Sequence, residues 1–170
     1  INPAVELQVA LRETDSVRRR LTSGRLRPKS PFELSYAIVS AVTHNLERFI
    51  EDLTSDVWRL EQRVTGGHMG NPEEFLEELF QARHGLLAVR TMGALGAEVY
   101  GRIAALGDRV PAKDLPLVND VVDQFTRIRG LADGEREYLQ GVIEFYRARA
   151  ETKMTIAAER LAVIAVVTLP

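Results

Sequence analysis

Apolar residues recur at helical spacing over most of the chain. Leu46, Ile50, Leu53, Val57, Leu60 and Val64 alternate by four and three, a heptad-like seam along one helix face. Val118, Val121, Phe125, Ile128 and Ala132, then Leu139, Val142 and Tyr146, repeat that pattern further on, and no proline interrupts the stretch from Pro116 to Thr168. At ~1.5 Å per residue this stretch makes a rod of roughly 80 Å. A compact globule of this chain length is about 40 Å across, so about half of the rod is expected to overhang its own domain. Towards its end the polar face disappears altogether, in Leu161-Ala-Val-Ile-Ala-Val-Val-Thr-Leu-Pro170. A helix that is apolar all round belongs in lipid or in a packed interior. The run is only about half of the roughly 20 residues a span needs, and it reads as the first half of one.

Local signals punctuate the pattern. Ser30-Pro31-Phe32-Glu33 supplies a hydroxyl N-cap, a proline at the first helical position and a glutamate to close a capping box. The helix it opens runs to about Val64 and is closed by Thr65-Gly-Gly-His-Met-Gly70. Asn71-Pro72-Glu73-Glu74 opens a second helix, which Gly107 ends. Gly85, Gly93, Gly96 and Gly101 lie inside it, each costing ~1 kcal/mol relative to alanine. Such a row is tolerable only where another helix approaches closely. Asp108 to Leu115 forms the next turn, with Asp114 as the cap of a third helix that begins near Pro116 and has weak points at Gly130 and Gly134. Short turns between long helices imply antiparallel neighbours. Arg149 and Lys153 take over the seam positions after Tyr146, so apolar packing should fade there. Upstream, Val5, Leu7, Val9 and Leu11 alternate as on a strand, and a short helix over Ser16–Leu21 follows. A lone strand leaves its ladder groups unpaired. Residues 1–29 are therefore expected to be the remnant of an upstream α/β domain, and residues 30–170 a helical hairpin plus stalk helix. The fold class is mainly α: three long antiparallel helices, the last very long, with a short N-terminal strand and helix.

Composition narrows the chemistry. The 170 residues are 45% hydrophobic and 27% charged, which excludes wholesale disorder. A net charge of −2 provides no field to recruit nucleic acid. The basic run from Arg18 to Lys29 reads as a solvated helix face and loop. Without cysteine there is no disulfide, thiolate catalysis or cysteine-zinc site. His44, His68 and His84 have no histidine at i+4, and the acids Glu47, Glu51, Asp52 and Asp56 have Arg48, Arg59 and Arg63 as partners on the same helix. The chain has no dinucleotide or Walker pattern and no nucleophile constellation, so it does not read as an enzyme. The seam residues, together with Trp58, read as core.

From Val118 onward the chain resembles the CorA family of magnesium channels. Asn119-Asp120-Val121-Val122-Asp123-Gln124 keeps both aspartates of the family's Arg-Asp-Val-Tyr-Asp-His stretch, and the closing Glu151 to Pro170 follows the family's sequence into its first span without a gap. The resemblance implies the cytoplasmic part of a divalent-cation channel, with a stalk helix leading to membrane spans beyond Pro170 and to a Gly-Met-Asn loop there. It implies a homo-oligomer, pentameric in the intact family, in the cell's inner membrane with this part on the cytoplasmic side. Mg²⁺, or Zn²⁺ as in zinc-transporting relatives, would be both the transported and the regulatory ion. The family's pore-lining positions fall on Thr155, Ala158 and Leu161, the first two replacing the usual asparagine and methionine. Its ion sites at subunit boundaries match Asp120 and Glu144, with Asp123 close to the first, and would be half built without the facing subunit's upstream domain. Reading the residues alone leaves a rival: a soluble three-helix regulatory bundle of the phosphate-uptake type, its apolar tail packed internally and with no transport role.

Overall fold

The computed structural model describes residues 14–68 and 70–168, with backbone alone for 108 and 160–168. It contains a short helix α1 (14–22), the long helices α2 (Pro31–Gly66) and α3 (Pro72–Ala104), a 3-10 turn at Gly107–Arg109, and α4 (Leu115–Thr168). Among the described residues there is no strand. The strand expected over Val5–Leu11 lies outside them.

The helix ends follow from local chemistry. Ser30 Oγ accepts the Glu33 amide at 3.1 Å, and the Glu33 carboxylate reaches back to the Lys29 amide at 2.6 Å. The capping box thus closes one residue earlier than its usual form. Gly67 ends α2 in the left-handed region at φ 77°, and its own amide and that of His68 take up Val64 and Arg63 carbonyls. Asn71 caps α3 by accepting the Glu73 amide. That helix stops at Ala104, short of the expected Gly107, which instead takes a positive φ and opens the 3-10 turn. Asp114 precedes α4 as expected, but its carboxylate is used elsewhere. It accepts from Ser30 Oγ at 3.0 Å, while its carbonyl takes the Leu117 and Val118 amides.

Ion pairs and one hydrogen bond fix the directions of the helices. Arg63 meets Glu78 and Arg90 meets Asp133, so α3 runs antiparallel to both neighbours; Glu47 meets Arg127 and Thr65 meets Arg149, so α2 and α4 run parallel. The lower core joins Leu53, Val57, Leu60 and Val64 of α2 to Phe75, Leu79 and Leu86 of α3 and to Leu139 and Val142 of α4. A second cluster above it holds Ile50, Val89, Ile128 and Ala132, with Leu46 partly covered. Trp58 departs from expectation. It is 58% exposed, because it lies one residue, or about 100° of helical rotation, off the Val57 seam position. The glycines of α3 behave as their cost demands. A methyl on Gly85 would meet Leu53 at 3.0 Å, one on Gly93 the Arg129 amide at 2.9 Å, and one on Gly96 the Phe125 ring at 2.6 Å, although Gly101 faces open space.

The overhang is shorter than half the rod. With 36 and 33 residues, α2 and α3 are themselves ~50 Å long, so the domain is elongated and not a compact globule. They accompany the 54-residue α4 as far as Arg149, whose guanidinium donates to the Thr65 carbonyl at 2.8 Å. Residues 151–159 are all exposed, and α4 continues as one helix to Thr168 without turning back.

Candidate functional site

All six positions expected to meet ions lie on α4, but the helix keeps them apart. Asp120 is on its first turns, in a polar network with the N-terminal half of α2. Gln124 Nε2 donates to Asp120 Oδ2 at 2.7 Å and to Ser40 Oγ at 3.1 Å, and Gln124 Oε1 accepts from Thr43 Oγ1 at 2.6 Å. The nearby Asp120 carboxylate and then partial burial hold the Tyr36 phenol above its ordinary 10.0, because ionisation would place two negative charges together. Thr43 is buried at 2% exposure, whereas Asp120 itself is exposed. This network was missed in the sequence, although Tyr36, Ser40 and Thr43 are spaced by four and three on one face of α2.

Asp123 is exposed on the next turn, and exposed Glu144 accepts from Gln140 at 3.0 Å. Twenty-four residues separate Asp120 from Glu144, roughly 36 Å along the helix. Among the described residues no group of three or more histidine or carboxylate side chains could hold a metal ion. The arrangement therefore offers single carboxylates. Mg²⁺ keeps several waters and accepts one or two carboxylates, so a lone carboxylate such as Asp120 is chemically compatible with such an ion.

Thr155 and Ala158 are exposed on the overhang, and Thr155 Oγ1 turns back to the Glu151 carbonyl at 3.1 Å. The side chain of Leu161 lies outside the described residues. Met154 is 73% exposed, so nothing among the described residues covers this part of the helix. No helix among the described residues is long and apolar enough to cross a membrane.

A second feature of α4 also went unread in the sequence. Leu131, Tyr138 and Phe145 recur at heptad spacing and are 45%, 41% and 47% exposed. Gly134, Gly141, Ala148 and Thr155 form the companion row of the same heptad. Unlike Gly85, Gly93 and Gly96 of α3, Gly134 and Gly141 face open space, as does Gly130. Tyr138 donates to the Glu61 carboxylate, which keeps its phenol protonated above the usual range.

A family model described as CorA-like Mg²⁺ transporter protein matches residues 7–170. No curated protein matches the chain.

Proposed function

The chain belongs to the CorA-like Mg²⁺ transporter family, and from that premise we propose that it is the cytoplasmic part of a divalent-cation channel with α4 as its stalk. The family is one of oligomeric membrane transporters and not of enzymes. The observation that carries the reading for this chain is the overhang of α4. A helix exposed on every residue from Glu151 to Glu159, about to become wholly apolar, is unstable alone and finds cover beside equivalent helices at a membrane surface. The exposed heptad of Leu131, Tyr138 and Phe145 with its open glycines supports a parallel arrangement of several copies, in which small residues admit a neighbouring helix.

In that assembly Thr155, Ala158 and Leu161 line the inner end of the pore. Asp120 and Asp123, with Glu144 further along, are the carboxylates at the subunit boundary. Mg²⁺ relieves repulsion between facing carboxylates, and its loss biases the interface towards separation. Zn²⁺ is the alternative cargo. The protein then sits in the inner membrane with the described helices on its cytoplasmic side.

The test is Mg²⁺ entry into dye-loaded proteoliposomes carrying the full-length protein. Ala158→Phe narrows the pore and is expected to lower flux by tenfold or more with the oligomer unchanged in size. Flux unchanged by that substitution would overturn the pore assignment, and no flux from the unaltered protein would overturn the function. Melting with and without millimolar Mg²⁺ tests the ion sites, since an ion that binds the native state stabilises it by RT ln(1 + [L]/Kd). Asp120→Asn together with Asp123→Asn is expected to shrink that Mg²⁺-dependent shift.

A further inference from the structure

We propose that neighbouring copies of this chain meet through two different flanks of α4. An arginine-lined groove between α3 and α4 on one copy seats against an aromatic, acidic groove between α2 and α4 on the next. This pairing rests on the parallel arrangement of copies proposed above and specifies its contacting surfaces. Arg83 and Arg90 are seven residues apart on α3, and Arg129 and Arg136 are seven apart on α4, so each pair lies on one side of its helix. Antiparallel packing sets the two pairs beside each other. Asp133 Oδ1 accepts from Arg90 Nε at 2.6 Å and from Arg136 at 2.9 Å, and its Oδ2 lies 3.7 Å from Arg129 Nε. Arg83 lines a groove with Asp133 and Arg136, yet among the described residues it has no hydrogen bond or ion pair. A guanidinium carries five donors, so one aspartate leaves most of the donors on this flank turned to solvent.

The other flank has the complementary chemistry. Trp58, Tyr138 and Glu135 line one groove between α2 and α4, and Tyr138, Phe145 and Glu61 line a second that adjoins it. All three rings are exposed. Glu135 Oε2 is shielded from solvent and has no hydrogen-bond partner among the described residues, while Glu61 accepts from Tyr138. Arg59, which lines the same side, is already paired with Asp56. Arginine suits such a surface better than other side chains do, because its guanidinium stacks on aromatic faces and donates in its own plane to carboxylates.

The two flanks sit at the same level of the rod. Glu61 meets Tyr138 across the α2–α4 seam, and Arg90 meets Asp133 across the α3–α4 seam, so both grooves run beside residues 129–145 of α4. Copies held in one membrane and related by rotation about its normal are not shifted along their length. One flank of each copy then faces the opposite flank of its neighbour at equal height. Unlike surfaces that pair in this way form a heterologous interface, the kind that closes a ring of more than two copies. Arginine flank against arginine flank would instead set like charges together, which opposes that pairing.

The experiment uses the full-length protein in membranes, with serine at any cysteine outside residues 1–170, which contain none. Thr65→Cys lies on the aromatic groove and Gln140→Cys on the arginine groove, both at exposed positions. Copies carrying one are co-expressed with differently tagged copies carrying the other, then treated with a bismaleimide. Mixed-tag dimers are expected from the combination, and little product from either variant alone. Adding Arg83→Glu to the Gln140→Cys copies, or Trp58→Ala to the Thr65→Cys copies, is expected to lower the mixed product about fivefold, the effect of losing one anchor residue from an interface. Both side chains are exposed, so the melting temperature is expected to stay the same. Thr155→Cys, nearer the end of α4, reports parallel association independently. Cross-linking at Thr155→Cys without any mixed product, or a product in which either flank joins mainly to itself, would overturn the flank pairing alone. Mixed product left unchanged by both Arg83→Glu and Trp58→Ala would overturn it too. No cross-linking at any of these positions would overturn the parallel assembly and the pairing together.

Discussion

Glycine has opposite meanings on two helices of this molecule. A methyl on Gly93 would stand 2.9 Å from the Arg129 amide and 3.0 Å from the Phe125 carbonyl, both backbone atoms. It could be accommodated only by separating α3 from α4. Gly93→Ala is expected to lower stability by about 1–3 kcal/mol, whereas Gly130→Ala, in open space, is expected to raise it by about 1 kcal/mol. Urea midpoints of the two variants would show the opposite signs. Asp133 offers a pH test. Its bond from Arg90 at 2.6 Å, and the neighbouring Arg136, hold its carboxyl below the ordinary 3.8. A depressed carboxyl stabilises the fold above the unfolded value, and the contribution disappears as pH falls through the folded one. With the side chain 38% exposed, solvent screening keeps the effect below about 1 kcal/mol. Asp133→Asn is expected to lower the urea midpoint slightly at pH 7, and by less as the pH falls below the ordinary carboxylate range. The close approach at Gly93 was legible as a row of costly residues. The exposed row on α4 was not, because periodicity shows which residues share a face and not whether anything covers it.

Ser30 joins two elements at once. It caps α2 through the Glu33 amide and donates to Asp114, which is buried at 2% exposure with its Oδ2 lacking any hydrogen-bond partner among the described residues. The positive ends of two helices, α2 and α4, meet at this carboxylate and offset part of the cost of burying it. Ser30→Ala removes the cap, worth ~1 kcal/mol, and removes the one hydrogen bond to the Asp114 carboxylate, a further ~1–3 kcal/mol. Thermal melting is expected to show a loss near the sum of the two, and a loss below ~1 kcal/mol would mean that Asp114 finds another donor. The helix starts were readable because Ser30-Pro31 and Asn71-Pro72 act locally. The Ser30–Asp114 bond, like Thr43–Gln124, spans more than eighty residues, and only the packed helices bring its partners together. Asp120 was read as a candidate ligand from a motif that ends on Gln124, while Ser40 and Thr43, which hold that glutamine, lay in ordinary-looking amphipathic helix.

Across the whole molecule, the described structure divides at Arg149 into a braced part and an unbraced one. Ending the chain after Lys153 removes no residue that packs into either apolar cluster. The shortened protein is expected to melt within a few degrees of the original while its self-association falls, as sedimentation velocity would show. A stability loss as large as that of a core truncation would mean that the end of α4 folds onto the body. The geometry of this division also makes α4 a lever. Its fulcrum is the contact of Arg149 with the Thr65 carbonyl and with Gly67, where an added methyl would meet the guanidinium at 2.8 Å. About 27 Å of stiff rod extends beyond it. A tilt of about 4° at the fulcrum, too small to disturb the apolar clusters, sweeps the far tip sideways by about 2 Å, so slight repacking of the body is magnified at the end of the arm.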